Sequence, residues 1–133
     1  LKIGGKSVDG GIIVAGPLLE YAQLPDSNAS KKVAAEYAKL YEAKYGPGSL
    51  SSFGGHMWDA WVLAQRAIPE ALKKAKPGTP EFRAALRNAI ETEKDVVAGH
   101  GVYNFSPTDH NGLDSRGRVL LQVQNGAFKV IGQ

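Results

Sequence analysis

The residues able to do polar chemistry in this chain gather in three places. The first is Ser51-Ser52-Phe53-Gly54-Gly55-His56-Met57-Trp58-Asp59, where an aromatic ring and two glycines stand ahead of an apolar, helix-like stretch. The first turn of a helix has unpaired N–H groups at the positive end of its dipole, so it can receive a carboxylate. Glycine lets the backbone approach a ligand closely, and Phe53 or His56 could lay a ring against it. The competing reading is an ordinary capped helix with Phe53 in the core.

The second place is the run Gly99 to Leu113, where His100, Asp109 and His110 could supply a metal site or a proton relay. Two histidines ten residues apart in a glycine-rich loop offer no rigid face for ligands. Asp109 to Gly112 also fits a turn in which Asp and Asn satisfy their own backbone, so no metal is expected. The third place is Gly5-Lys6-Ser7, which has the form of the tail of a phosphate-binding loop and opens an alternative, a nucleotide-binding enzyme fragment. That motif needs an earlier glycine and a following helix, whereas Val8-Asp9-Gly10-Gly11 and an apolar run come next.

No Gly-x-Ser-x-Gly elbow and no His-Glu-x-x-His pair occurs. Glu36 and Glu42, and Glu91 and Glu93, fall on faces expected to be solvated or at a helix end. No catalytic residue, no cofactor and no enzyme activity is expected. The chain has no cysteine, which excludes disulfides, thiolate zinc sites and cysteine nucleophiles together. Its 16 Lys and Arg against 13 acids give a net charge of +3, scattered as on solvated helix faces, and no nucleic-acid partner is expected.

These residues need a scaffold, and 133 residues at 43% hydrophobic are enough for one buried core. Gly11-Ile12-Ile13-Val14 is a short apolar run between glycines, which predicts a strand covered on both faces and hence a parallel sheet. Pro17 to Asn28, with two prolines and polar residues, predicts an extended connector rather than a helix. From Ser30 to Tyr45, Val33, Tyr37, Leu40 and Tyr41 fall at helical spacing, and Gly46-Pro47 stops the helix.

A second helix is predicted from Gly55 or His56. Its Met57, Trp58, Trp61, Val62, Leu63 and Ile68 surround most of the axis, so burial is expected, with Pro69 a kink or an end. Thr79-Pro80-Glu81 predicts a third helix start, followed by the stripe Phe82, Leu86, Ala89 and Ile90. Near the end, Asn125-Gly126 between Val119–Val123 and Phe128–Ile131 predicts a tight hairpin. The order of elements favours an α/β class.

The combination of Asp9-Gly-Gly-Ile-Ile-Val-Ala-Gly-Pro17, the amphipathic helix, Phe53-Gly-Gly-His-Met-Trp-Asp-Ala60 and Gly101-Val-Tyr-Asn-Phe-Ser-Pro-Thr-Asp-His-Asn-Gly112 resembles one family. It is the leucine/isoleucine/valine-binding family of periplasmic solute receptors of ABC importers, the type I periplasmic binding proteins. The resemblance runs over essentially the whole chain but matches only the carboxy-terminal portion of such a receptor. Members are two doubly wound α/β lobes with parallel sheets that close on a small solute, and closure is what the permease recognises.

Carried onto this sequence, the resemblance implies that residues 1–16 end the second lobe. Residues 17–29 would be a hinge crossing with Pro17, Leu18 and Leu19 as hinge residues. Residues 30–113 would be part of the first lobe, and residues 114–133 a return crossing and the closing β-hairpin of the second lobe. Phe53, Gly54, Gly55 and His56 would contact ligand, while the run Gly99 to Leu113 would lead the chain back across the hinge and touch no solute.

The implied function is capture of a small amino acid or an aromatic carboxylate and its delivery to an ABC permease in the membrane. The alternative within the same fold is a ligand-sensing module of a receptor or regulator. The implied location is the periplasm, with a signal peptide ahead of Leu1. Met57 is the only methionine, which fits a processed chain or a piece of a longer one, and the implied partners include that missing upstream part. Uncovered flanks at Ile12, Trp58 and Trp61 would further favour association with another copy.

Overall fold

A polar cap decides where the longest helix begins. The structure, a computed structural model, describes residues 1 and 3–132. The helices are α1 (Ser30–Tyr45), α2 (Ser52–Leu72) and α3 (Pro80–Glu91), and the strands are β1 (Ile12–Ala15), β2 (Val96–Val97), β3 (Val102–Tyr103), β4 (Val119–Gln124) and β5 (Ala127–Gly132). α2 starts at Ser52, earlier than the glycine pair suggests, because the Ser51 side chain accepts from the Gly54 N–H and the Ser51 carbonyl accepts from Gly55 N–H at 3.0 Å. Gly54 and Gly55 therefore lie inside the helix. Pro69 does not end it, since α2 continues to Leu72.

α1 has the predicted limits and α3 the predicted start, with Gly46 closing α1 at φ 95°. At α3, Thr79 accepts from Phe82 N–H at 3.1 Å and Pro80 takes the first helical position. The buried stripe of α1 is Ala34, Tyr37 and Ala38, with Tyr41 half-buried, whereas Leu40 is 52% exposed. Small alanines let Leu18 and Tyr37 approach, which a stripe of larger residues would prevent.

The connector after β1 is not extended. Pro17–Gln23 coils into 3-10 turns with a kink at Glu20, and the three-residue repeat brings Leu18, Tyr21 and Leu24 inward. Leu18 is fully buried against Ala34 and Tyr37, with Tyr41, Leu50 and Trp58 around it. Leu24 is buried against Val119 and Leu121 of β4. Burial of each leucine is worth roughly 1.5–3 kcal/mol, enough to override the extended preference of the prolines. The connector thus joins the helical core to the sheet.

That sheet has the order β1-β4-β5, and every pairing among the described residues is antiparallel. The local expectation of a covered, parallel-paired first strand does not hold. β1 pairs with β4 on one side only, and Ile12 and Val14 stay 57% and 62% exposed. The hairpin is as predicted: Gln124 pairs with Ala127, and Asn125 (φ 53°) and Gly126 (φ 76°) both take the left-handed conformation that a two-residue turn requires. Val119, Leu121 and Val123 alternate inward along β4. A second small core joins Val96, Ala98, Tyr103 and Phe105 to Val62, Leu63 and Ile90 of α2 and α3.

The second helix is amphipathic rather than buried all round. Asp59, Ala67 and Ala71 are buried, while Phe53, Met57 and Trp61 form a stripe left 86%, 72% and 53% exposed. Among the described residues no helix is long and apolar enough to cross a membrane.

Candidate binding site at the Pro17–Gln23 turn

A buried carboxylate organises the candidate site. Asp59 is 1% exposed on the inner face of α2, where it would be costly to leave charged without partners. Its Oδ1 accepts from Gly99 N–H at 2.7 Å, and its Oδ2 accepts from His100 N–H at 2.9 Å and from the Tyr103 hydroxyl at 3.1 Å. Oδ2 also lies 3.1 Å from His100 Nδ1. Burial works to raise its pKa, but the His100 side chain and the two backbone N–H groups outweigh that and hold Asp59 below the ordinary carboxylate value. The Tyr103 hydroxyl is pushed up by burial and by the adjacent Asp59 charge, so it remains a donor.

Because an ionised carboxylate can only accept, Nδ1 of His100 must carry the proton in this contact. In the neutral imidazole the lone pair is then on Nε2. Nε2 is buried and has no hydrogen-bond partner among the described residues. Trp58 Nε1 is also buried and unpartnered, but Trp58 does not line the cavity described next. His56, one turn into α2, stacks on the His100 ring with centroids 3.8 Å apart and planes within 8°. Burial, then the neighbouring His100, lowers the His56 pKa against the pull of Asp59.

A cavity of about 320 Å³ opens over this pair, where the end of β1, the start of α2 and the loop after β3 meet. Gly16, Leu19, Ser52, His56, His100 and Leu113 line it. Two glycines make room for the imidazole. A Cβ on Gly16 would lie 2.6 Å from His100 Cδ2, and one on Gly55 would lie 2.8 Å from His100 Cε1. The edge of the ring between those carbons, which carries Nε2, faces these two backbones.

The four residues expected to contact ligand are placed differently from one another. His56 lines the cavity, and Gly55 backs it against Leu18 and His100. Gly54 faces α1, where a Cβ would meet the Tyr37 hydroxyl at 2.3 Å, and Phe53 stands in solvent outside the cavity. Of the residues expected to form a hinge, Pro17 and Leu18 are buried and Leu19 lines the cavity.

His100, expected on a loop that touches no solute, is at the cavity floor. Asp59 had no role assigned from sequence, since its partners lie 40 to 44 residues away and leave no local signal. His110 is exposed and 3.1 Å from Glu91, while Asp109 accepts from the Asn111 and Gly112 N–H groups as a turn residue. Among the described residues no group of three or more His, Cys, Asp or Glu could hold a metal ion. Glu93, expected to be solvated, is buried and accepts from Arg66 Nε at 2.7 Å. The Gly5–Val8 segment is a single exposed 3-10 turn that runs into β1, so the helix a phosphate-binding loop requires does not follow it.

No family model and no curated protein matches this chain. Solved structures do. An extracellular ligand-binding receptor from Rhodopseudomonas palustris HaA2 shares 48% sequence identity at a TM-score of 0.91 over 98% of this chain. Another extracellular ligand-binding receptor from Rhodopseudomonas palustris shares 49% at a TM-score of 0.90, again over 98%. A leucine binding protein from Thermotoga maritima, at 22% identity and a TM-score of 0.60 over 97% of this chain, shares the fold. The chain spans 36% of the length of the two receptors and 32% of the leucine binding protein.

Proposed function

From a chain that belongs to the extracellular ligand-binding receptors, as a portion of their type I periplasmic-binding-protein fold, we propose that the protein it represents is a solute-capturing receptor. That receptor takes a small amino acid or an aromatic carboxylate between two lobes and delivers it to an ABC permease. It works outside the cytoplasm, in the periplasm, and does no chemistry on what it binds.

The observation that carries this reading is the cavity itself. It lies where the Pro17-Leu18-Leu19 turn meets the start of α2, and it brings two histidines and a serine together inside otherwise apolar walls. Such a concave, mostly apolar site with few convergent polar groups fits a small solute. Residues on the two sides of the Pro17–Gln23 turn line one space, so a change of angle at that turn would open or close it. Ser52 and His56, with Gly55 behind them, form its α2 wall in the closed receptor.

The remainder of the receptor covers the stripe Phe53, Met57 and Trp61 and the outer side of β1, where Ile12 and Val14 are exposed. The isolated chain should accordingly bind solute weakly and self-associate. Calorimetry on the whole receptor with phenylalanine, leucine, benzoate and para-hydroxybenzoate tests the reading. Heat of binding from one of these classes is the expected result, and silence from all four would sink it.

A further inference from the structure

We propose that His100 is the polarity-reading group of this cavity: its Nε2 lone pair accepts a hydrogen bond from a donor on the solute, a hydroxyl or an ammonium, and Asp59 fixes that polarity. The inference rests on the solute-receptor reading and adds which solute group goes where. A buried imidazole nitrogen without a partner costs free energy, and native structures nearly always satisfy such atoms. Here His100 is 3% exposed, its backbone N–H and Nδ1 both meet Asp59, and its Nε2 has no partner among the described residues.

The surroundings say which kind of partner is missing. Asp59 already receives four donors, so it cannot surrender the Nδ1 proton without leaving a buried charge less well paired. When the ring is neutral and Nδ1 holds its one proton, Nε2 can only accept. His56 stacks on one face of the ring, and the Nε2 edge is enclosed by backbone, so a solute reaches Nε2 only when that backbone moves. That edge is bounded by Gly16 and Gly55, where any side chain would collide with the ring. Gly16 is the residue directly before the Pro17 turn, so movement at the turn governs whether Nε2 is covered or offered. A carboxylate, which has no proton to give, is the wrong partner for this edge, while an ammonium or a hydroxyl is the right one. Asp59 touches no solute and is a positioning residue.

The test uses the whole receptor and matched solutes that differ only in the donor: phenylalanine against hydrocinnamate for the ammonium, and para-hydroxybenzoate against benzoate for the hydroxyl. In the unmodified receptor the donor-bearing member of the pair that binds should be tighter by about tenfold or more. Which pair responds identifies the source of the donor.

His100→Phe should abolish the advantage, so that the donor-bearing and donor-free members of a pair bind equally to the variant. Asp59→Asn, which presents an amide N–H to Nδ1 and drives the proton onto Nε2, should remove the advantage of an ammonium. It should leave part of that of a hydroxyl, which can also accept. Equal affinity within both pairs in the unmodified receptor overturns the proposal, and that arm needs no variant to fold. So does an advantage that survives His100→Phe. Absence of binding by these four solutes and by leucine instead defeats the underlying reading of the chain as a solute receptor, and the proposal with it.

Discussion

Two histidines ten residues apart on one connecting segment have opposite fates, and the contrast separates the binding site from its surroundings. At the start of the segment, His100 is nearly inaccessible, bonded to Asp59, stacked under His56 and open only at Nε2. Toward the far end, His110 is in solvent, with Nε2 already facing Glu91. Both could be called candidate ligands from residue type alone. What distinguishes them is the helix behind each: α2 turns a buried carboxylate toward His100, whereas α3 offers His110 an edge carboxylate shared with Arg87. His100 has its first ring nitrogen paired and its second without a partner among the described residues, which is what makes it the proposed contact.

The sharpest way to break the contrast is to remove the organiser. Asp59→Ala would strand the N–H groups of Gly99 and His100, the Tyr103 hydroxyl and His100 Nδ1 without an acceptor. We expect a loss of about 3–5 kcal/mol in urea unfolding, a large share of the stability of a domain this size. A loss under about 1 kcal/mol would mean that the network contributes little. Next in size is Gly55→Ala, whose Cβ would lie 2.5 Å from Leu18 Cδ1 and 2.8 Å from His100 Cε1. Overpacking of this kind costs about 1–3 kcal/mol and should close the cavity, lowering solute affinity in calorimetry of the whole receptor.

The acid response is smaller and has a sign set by both groups. His56 has a folded pKa below its ordinary 6.5, so the unfolded chain takes up its proton first. Its contribution to stability is complete above 6.5 and declines as the pH falls from there through the folded value. Asp59 is likewise held below 3.8, and its contribution, present above that value, is lost as the pH falls through the folded pKa. Melting temperature followed against pH should fall in two stages, and His56→Gln should remove the upper one. Least of all should follow from His110→Ala. It breaks an exposed pair worth less than about 1 kcal/mol, and it should leave solute affinity unchanged.

Much of the scaffold was legible because its signals are local. Thr79-Pro80 opens α3, Gly46 closes α1 and Asn125-Gly126 turns the hairpin, each through backbone chemistry confined to a few residues. The misreadings share a different cause. Gly54-Gly55 has the look of a helix boundary, yet Ser51 had already capped the helix and the space against Tyr37, Leu18 and His100 requires those glycines. Pro17 to Gln23 coils because Leu18 and Leu24 have cores to enter on either side. The covered first strand was expected from composition, which cannot reveal that β1 pairs along one edge only. At the cavity, His56 was singled out for its place at a helix start, whereas His100 is held there by Asp59, far away along the chain.

If His100, and not His110, meets the solute, binding must change the ring nitrogens of the first and spare those of the second. Ring-nitrogen NMR of the whole receptor carrying isotope-labelled histidine, recorded with and without a bound solute, reads both at once. The expected result is an unprotonated His100 Nε2 whose signal moves on binding while the His110 signals stay in place. A His100 Nε2 that carries the proton beforehand, or one that is unmoved by a solute that binds, would contradict it.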